Sequence, residues 1–189
     1  LIARLQEVLG TRLALLCANA GYGKTTLLSQ FVEVLGPRVA VYRLEKSDRD
    51  PVVFLNYLAA ALKPLCLDRQ QCEAGEPLCR FLRTVPDPWQ LLIMFIEECL
   101  QKHHDDVVLV LDDYHLVDDS DDVNALLEKL IELSPPNFHF VISSRVHPHL
   151  PIHLWRARGE LIELTERNLA FTLDEVKVLF RDFYKQELT

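Results

Sequence analysis

No apolar run in this 189-residue chain approaches the roughly twenty residues that a membrane span requires. Residues 1–9 interleave Arg4 and Glu7 with the apolar positions of an amphipathic helix, which excludes a signal sequence. Basic charge is equally scarce. Twenty Lys and Arg stand against 28 Asp and Glu, giving a net charge of −8 and a pI near 5.3. No cluster of Lys and Arg alternates with aromatics, so this segment lacks the electrostatic footprint of a nucleic-acid surface. Cysteine is odd in number, five in all. A disulfide framework does not follow, and reduced thiols in the cytoplasm are expected, with Cys17 a small buried group in a central strand. There is no Asn-Lys-x-Asp base-reading motif, which disfavours a GTPase, and no internal repeat or low-complexity tract. An initiator Met is also missing, and the chain stops directly after an apolar-faced helix, so it is expected to be an excerpt of a longer protein.

What is present is an apolar strand, Leu13-Ala14-Leu15-Leu16-Cys17, running into Ala18-Asn19-Ala20-Gly21-Tyr22-Gly23-Lys24-Thr25-Thr26 and then a helix. This is the strand, glycine-rich turn and helix of a phosphate loop, with Ala18 where the first glycine is usual. The chemistry is direct. Backbone N–H groups of Ala20, Gly21, Tyr22, Gly23, Lys24, Thr25 and Thr26 can converge on phosphate oxygens, aided by the helix dipole. Lys24 would reach the β and γ phosphates, and the Thr25 hydroxyl would serve Mg²⁺.

About half of the residues are hydrophobic, enough for one ordinary α/β domain and the start of a second. Short Val, Ile and Leu-rich runs at 12–17, 39–44, 107–111, 138–143 and 161–164 lack polar alternation, as strands buried on both faces do. Helical periodicity separates them. It follows the loop through Leu27, Leu28, Phe31, Val32 and Leu35 to Gly36-Pro37. It recurs after Asp50-Pro51, after Asp87-Pro88, and over 122–133. The segment 65–86 reads as a loop or irregular helical insertion. The expected fold is an α/β three-layer sandwich of the P-loop NTPase type, with a five-stranded parallel sheet and nucleotide at the strands' carboxyl ends. Residues 1–168 would form that domain. Residues 169–189, with a capping box at Thr172 and Glu175, would open a helical lid domain.

A second site element stands at Val107-Val108-Leu109-Val110-Leu111-Asp112-Asp113. Asp112 at the strand tip would hold Mg²⁺, usually through water. Asp113 takes the place where a glutamate commonly orients the attacking water. One methylene shorter, it predicts slow hydrolysis, closer to a switch than to a motor. The next strand ends Ser143-Ser144-Arg145, where a guanidinium could report a γ phosphate. Asp118, Asp119, Asp121 and Asp122 read as caps or solvated turns, and Tyr114 and His115 as local packing or hydrogen-bonding residues. Cys66, Cys72 and Cys79 lack the tight spacing of zinc sites, and His147, His149 and His153 fall in an exposed proline-punctuated loop.

These blocks in this order, with Asp112-Asp113-Tyr114-His115, Ile142-Ser143-Ser144-Arg145 with Pro148 and Pro151, and Leu169-Ala170-Phe171-Thr172, resemble the ATPase core of the large bacterial LuxR-type regulators. The kinship extends to maltose-regulon activators and the wider class of signal-transduction ATPases with numerous domains. The resemblance implies a regulatory switch that binds ATP or ADP with Mg²⁺ and hydrolyses ATP weakly. Lys24, Asp113 and Arg145 would be its catalytic set, and Thr25 and Asp112 its metal residues. It also implies a small-molecule or protein inducer acting through regions outside this chain, self-association in the ATP state, and DNA contact only through another domain. Two alternatives stay open: a small-molecule or nucleotide kinase, for which Arg156, Arg158 and Arg167 are the late lid candidates, and a nucleotide-blind scaffold.

Overall fold

The computed structural model describes residues 1–65 and 105–171, together with positions 175, 177 and 181. Elements are numbered over these residues. They are α1 (Ile2–Gln6), β1 (Leu13–Cys17), α2 (Lys24–Leu35), β2 (Val39–Arg43), α3 (Pro51–Leu62), β3 (Val107–Asp112), α4 (Asp121–Leu133), β4 (Phe138–Ser144), α5 (Ile152–Ala157), β5 (Leu161–Thr165) and α6 (Glu166–Leu169). The expected insertion beyond residue 65, the helix after Asp87-Pro88 and nearly all of the capping-box helix lie outside the described residues.

The five strands form one sheet in the order β2-β3-β4-β1-β5, every pairing parallel. The fold class expected from the sequence is therefore the observed one. Its middle strand is β4, not β1. Cys17 lies one strand off centre and is a free, half-buried thiol rather than a fully buried one.

Strand side chains alternate between faces, and this divides the core in two. Leu13, Leu15, Leu109, Leu111, Phe140 and Ile142 point to one face, where α3, α4 and α5 bring Phe54, Leu58, Leu127 and Trp155. Ala14, Leu16, Val108, Val110, Val141 and Leu164 point to the other, covered by Leu5 of α1 and Leu28 and Phe31 of α2. Because both of their faces are covered, β1, β3 and β4 are buried along nearly their whole length, while the edge strands β2 and β5 are partly exposed. Each Leu or Val so buried contributes roughly 1.5–3 kcal/mol of transfer free energy.

Local signals set the helix ends. Asp50 accepts from the amides of Val52 and Val53 at 2.8 and 3.2 Å, with Pro51 opening α3. Ser120 caps α4, accepting from Val123 N, which starts that helix one residue earlier than its apolar periodicity shows. Helix α5 falls where only a loop was expected, and its driver is local: Ile152 and Trp155, one turn apart, are both buried.

Candidate functional site

Lys24, Thr25, Asp112, Asp113 and Arg145 lie at or just beyond the carboxyl ends of β1, β3 and β4, whereas Cys66, Cys72 and Cys79 lie outside the described residues. After Cys17 the chain leaves the sheet through Ala18, which is 2 % exposed and donates its amide to Ser144 O at 3.2 Å. Gly21 and Gly23 take φ of +89° and +76°, a region costly to residues with a Cβ. The turn is thereby tight enough for Lys24 to begin α2. Its side chain is buried, and Nζ donates to Ala18 O at 2.5 Å and Asn19 O at 3.0 Å. Among the described residues, none of the amides from Ala20 to Thr26 donates to a protein acceptor. Burial and then Arg145 push the Lys24 pKa down, opposed by Asp113 and Asp112. A cationic group beside seven free donors favours an anion.

A second tether went unnoticed in the sequence. Asn19 donates through both its backbone N and Nδ2 to Glu166 Oε1, at 3.1 and 2.6 Å. The parallel register pairs Cys17 with Thr165, so each strand's continuation passes the other's. That register was the signal, and it is legible only once β5 is known to flank β1.

Across the sheet, Asp112 is 5 % exposed. Its Oδ1 accepts from Ser143 Oγ at 2.6 Å and from Asp113 N at 3.0 Å. Oδ2 faces Thr25 Oγ1 at 3.5 Å, a loose contact. The Oδ2 lone pairs are therefore uncommitted while Oδ1 is fixed. Thr25 and Asp112, 87 positions apart, are brought together as two oxygens that fit a divalent cation beside a phosphate chain.

Asp113 takes φ 60° and ψ 37°, the one left-handed non-glycine residue among those described. Its Oδ2 lies 3.4 Å from Arg43 Nη2, and its Oδ1 lies 3.9 Å from His115 Nδ1. Arg43 was not foreseen. It ends β2 directly beside Asp112 in register, a position invisible until the strand order is known. His115 belongs to the same cluster rather than to packing alone. Burial and then Arg145 lower its pKa, Asp113 and Asp112 oppose, and Lys24 adds to the lowering, so the imidazole is neutral near pH 7. Arg145 is exposed, just past β4, and has no ion-pair partner among the described residues.

Asp118 corrects the sequence reading. It is neither a cap nor a solvated turn but buried, accepting from His149 N and facing His149 Nδ1, both at 2.7 Å. Asn124 Nδ2 donates to Asp118 O, and the buried Tyr114 hydroxyl donates to Asn124 Oδ1. This chain of contacts clasps the loop after Arg145 onto the turn after Asp113. Tyr114 is thus local packing, as expected. Asp119 pairs with Arg49, while Asp121 and Asp122 fill the first turn of α4.

Residues 8–148 match the family model described as AAA domain. The chain belongs to the AAA domain family. It is an AAA-type P-loop ATPase domain, a family that binds nucleotide. It is also similar to the HTH-type transcriptional regulator MalT of Serratia proteamaculans strain 568. The identity is 33 % over 180 residues, covering 95 % of this chain and 19 % of that protein. The regulator resemblance drawn from the motifs therefore stands, although the chain spans about a fifth of that relative's length. Two solved structures share the fold. One is a signal-transduction ATPase with numerous domains carrying a tetratricopeptide repeat sensor, from Pyrococcus horikoshii. It has a TM-score of 0.58 and 17 % identity, over 97 % of this chain and 25 % of that one. The other is the Orc1 protein of Aeropyrum pernix, solved in complex with DNA. Its TM-score is 0.57 at 16 % identity, over 97 % of this AAA domain and 48 % of that chain. No helix among the described residues is long and apolar enough to cross a membrane.

Proposed function

We propose that this AAA domain is the ATP-dependent switch of a signal-transduction regulator of the LuxR type, binding ATP or ADP with Mg²⁺ and hydrolysing ATP slowly. One observation carries the reading: the loose Thr25–Asp112 oxygen pair stands beside a phosphate loop whose amides are free and whose lysine is buried. The amides of Ala20, Gly21, Tyr22, Gly23, Lys24, Thr25 and Thr26 would bind phosphate oxygens, and Lys24 would turn from its two carbonyls toward the β and γ phosphates. Thr25 and Asp112 would hold Mg²⁺, with Ser143 orienting the aspartate. A bound cation supplies charge neutralisation between the β and γ phosphates. Asp113 would position the attacking water, and Arg145, exposed and beside Lys24 and His115 in the electrostatic field, would sense the γ phosphate.

Slow turnover follows from Asp113. Its short side chain starts from a left-handed backbone and leans toward Arg43, so it must turn before it serves a water. The kinase alternative gains nothing from two of its three late arginines. Arg156 forms a two-pronged pair with Glu163, and Arg158 pairs with Glu132, which commits both away from a phosphate lid. Residues 1–168 would act as the nucleotide-binding unit and 169–189 as the start of a helical lid. An inducer, self-association in the ATP state and DNA contact would involve regions outside this chain, as the resemblance to LuxR-type regulators implies.

The test is titration of ATP and ADP with Mg²⁺, following turnover in the same samples. Tight binding with slow hydrolysis is expected. Rapid turnover on adding a small-molecule acceptor would favour a kinase, and absence of binding would leave a scaffold.

A further inference from the structure

Asp118 is a buried carboxylate whose partner belongs to no core. Its side chain is 6 % exposed, while that of His149 is 76 % exposed. A carboxylate only accepts, so His149 donates to it twice, from its backbone N to Oδ1 and from Nδ1 to Oδ2, both at 2.7 Å. These bonds offset the cost of burying the charge, yet they bring no apolar surface with them. What they fix is the separation of two segments. Asp118 lies in the turn that follows Asp112 and Asp113, and Asn124 Nδ2 holds its carbonyl there at 2.9 Å. His149 lies in the loop that begins with Arg145 at the end of β4.

Arg145 depends on that loop. Its side chain is exposed and has no ion-pair partner among the described residues, so the backbone sets where the guanidinium stands. It stands beside Lys24 and His115, whose pKa values burial and then Arg145 lower. On one side the backbone is fixed by β4 and by the Ser144 hydroxyl, which donates to Val146 O and accepts from Val146 N. On the other side His147 comes no closer than 3.7 Å to Glu163, and the firm anchor is His149 on Asp118.

We propose that Asp118 and His149 are positioning residues for Arg145, clasping its loop so that the guanidinium faces the place of a γ phosphate before ATP arrives. The inference rests on the ATPase reading above and on the sensing role that it gives Arg145. The gain is preorganisation: a loop already held loses less freedom when the guanidinium meets the phosphate. ADP has no third phosphate and does not draw on the clasp. The pair therefore sets the preference between the two nucleotides and leaves the binding of their shared part unchanged.

The experiment measures Mg-ATP and Mg-ADP affinity of the 189-residue chain by calorimetric titration. It compares the wild type with His149→Ala, His149→Asn, Arg145→Ala, and Arg145→Ala combined with His149→Ala. The amide nitrogen of Asn lies near the place of Nδ1 and can donate to Asp118. His149→Ala should lose about fivefold in ATP affinity with ADP affinity unchanged, and His149→Asn should recover most of that loss. Arg145→Ala should lose more, and adding His149→Ala to it should change nothing further, since a positioning residue acts only through the group it positions. A merely structural role would move both nucleotides together and persist without Arg145. Thermal denaturation of each variant separates lost affinity from lost fold, and truncating a mostly exposed imidazole opens no core cavity. An unchanged ATP-to-ADP ratio in His149→Ala, an equal loss for both nucleotides, parity of Asn with Ala, or a further loss in the Arg145→Ala background would overturn the proposal. An Arg145→Ala variant with the wild-type ratio overturns the sensing role of Arg145 and the proposal with it. A wild type that binds neither nucleotide overturns the ATPase reading itself.

Discussion

Ser143 donates its hydroxyl to Asp112 Oδ1 at 2.6 Å, fully buried between two adjacent parallel strands. The register sets this pair, because Leu111 faces Ile142 and the next residue of each strand follows in step. Ser143 therefore fixes one carboxylate oxygen and leaves the other facing Thr25. Replacing Ser143 by Ala should weaken nucleotide binding about tenfold in the presence of Mg²⁺ and little in its absence, as loss of an orienting partner does at metal sites. Calorimetric titration with and without Mg²⁺ reads this, and equal losses in both conditions would refute the orienting role.

Lys24 braces the loop itself, since Nζ bridges the carbonyls of Ala18 and Asn19. Substitution by Ala removes both bonds, at a cost of about 1 kcal/mol of stability. It should lower ATP affinity by at least roughly a hundredfold, or about 2.7 kcal/mol. Urea unfolding and nucleotide titration on the same preparation separate the two effects. Undiminished affinity would remove Lys24 from the site.

Much of this was legible in the sequence because each signal was local. The five strand runs, the phosphate loop, the Asp50-Pro51 cap and the Asp112 tip each depend on a few consecutive residues whose type decides their conformation. What escaped depends on strand order. Arg43 is an ordinary arginine until β2 is placed beside β3, and Glu166 is an ordinary helix-start acid until β5 is placed beside β1. Asp118 looked like one more aspartate in an acidic turn, since nothing along the chain announces His149 as its partner 31 positions on. The helix α5 was hidden by the prolines before it, although Ile152 and Trp155 carried its buried side.

At Asp113 the backbone itself makes a prediction. The left-handed conformation penalises a Cβ, and the carboxylate compensates little because Arg43 is mostly solvent-exposed. Asp113→Gly and Asp113→Ala lose the same carboxylate and differ in that Cβ. The Gly variant should be the more stable by about 1 kcal/mol in urea unfolding, reversing the usual advantage of Ala. Both should lose ATP turnover. An Ala variant as stable as the Gly variant would mean that the strain at this position is negligible.

The pair between α5 and β5 gives a pH dependence whose sign is fixed. Two hydrogen bonds from Arg156, at 2.9 and 2.8 Å, hold the Glu163 pKa below its ordinary 4.5. Burial opposes them, and His147 adds to the lowering from 3.7 Å. A carboxyl whose pKa is depressed by folding contributes stability that is fully present above pH 4.5 and is lost as pH falls through the folded value. Arg156→Gln should therefore raise the Glu163 pKa toward 4.5, read from its carboxyl ¹³C shift. The stabilities of variant and wild type should differ near neutral pH and converge in acid, where Glu163 is protonated in both. The effect should shrink in high salt, because Arg156 reaches Glu163 from solvent. A Glu163 pKa that does not move in Arg156→Gln would assign its lowering to His147 instead.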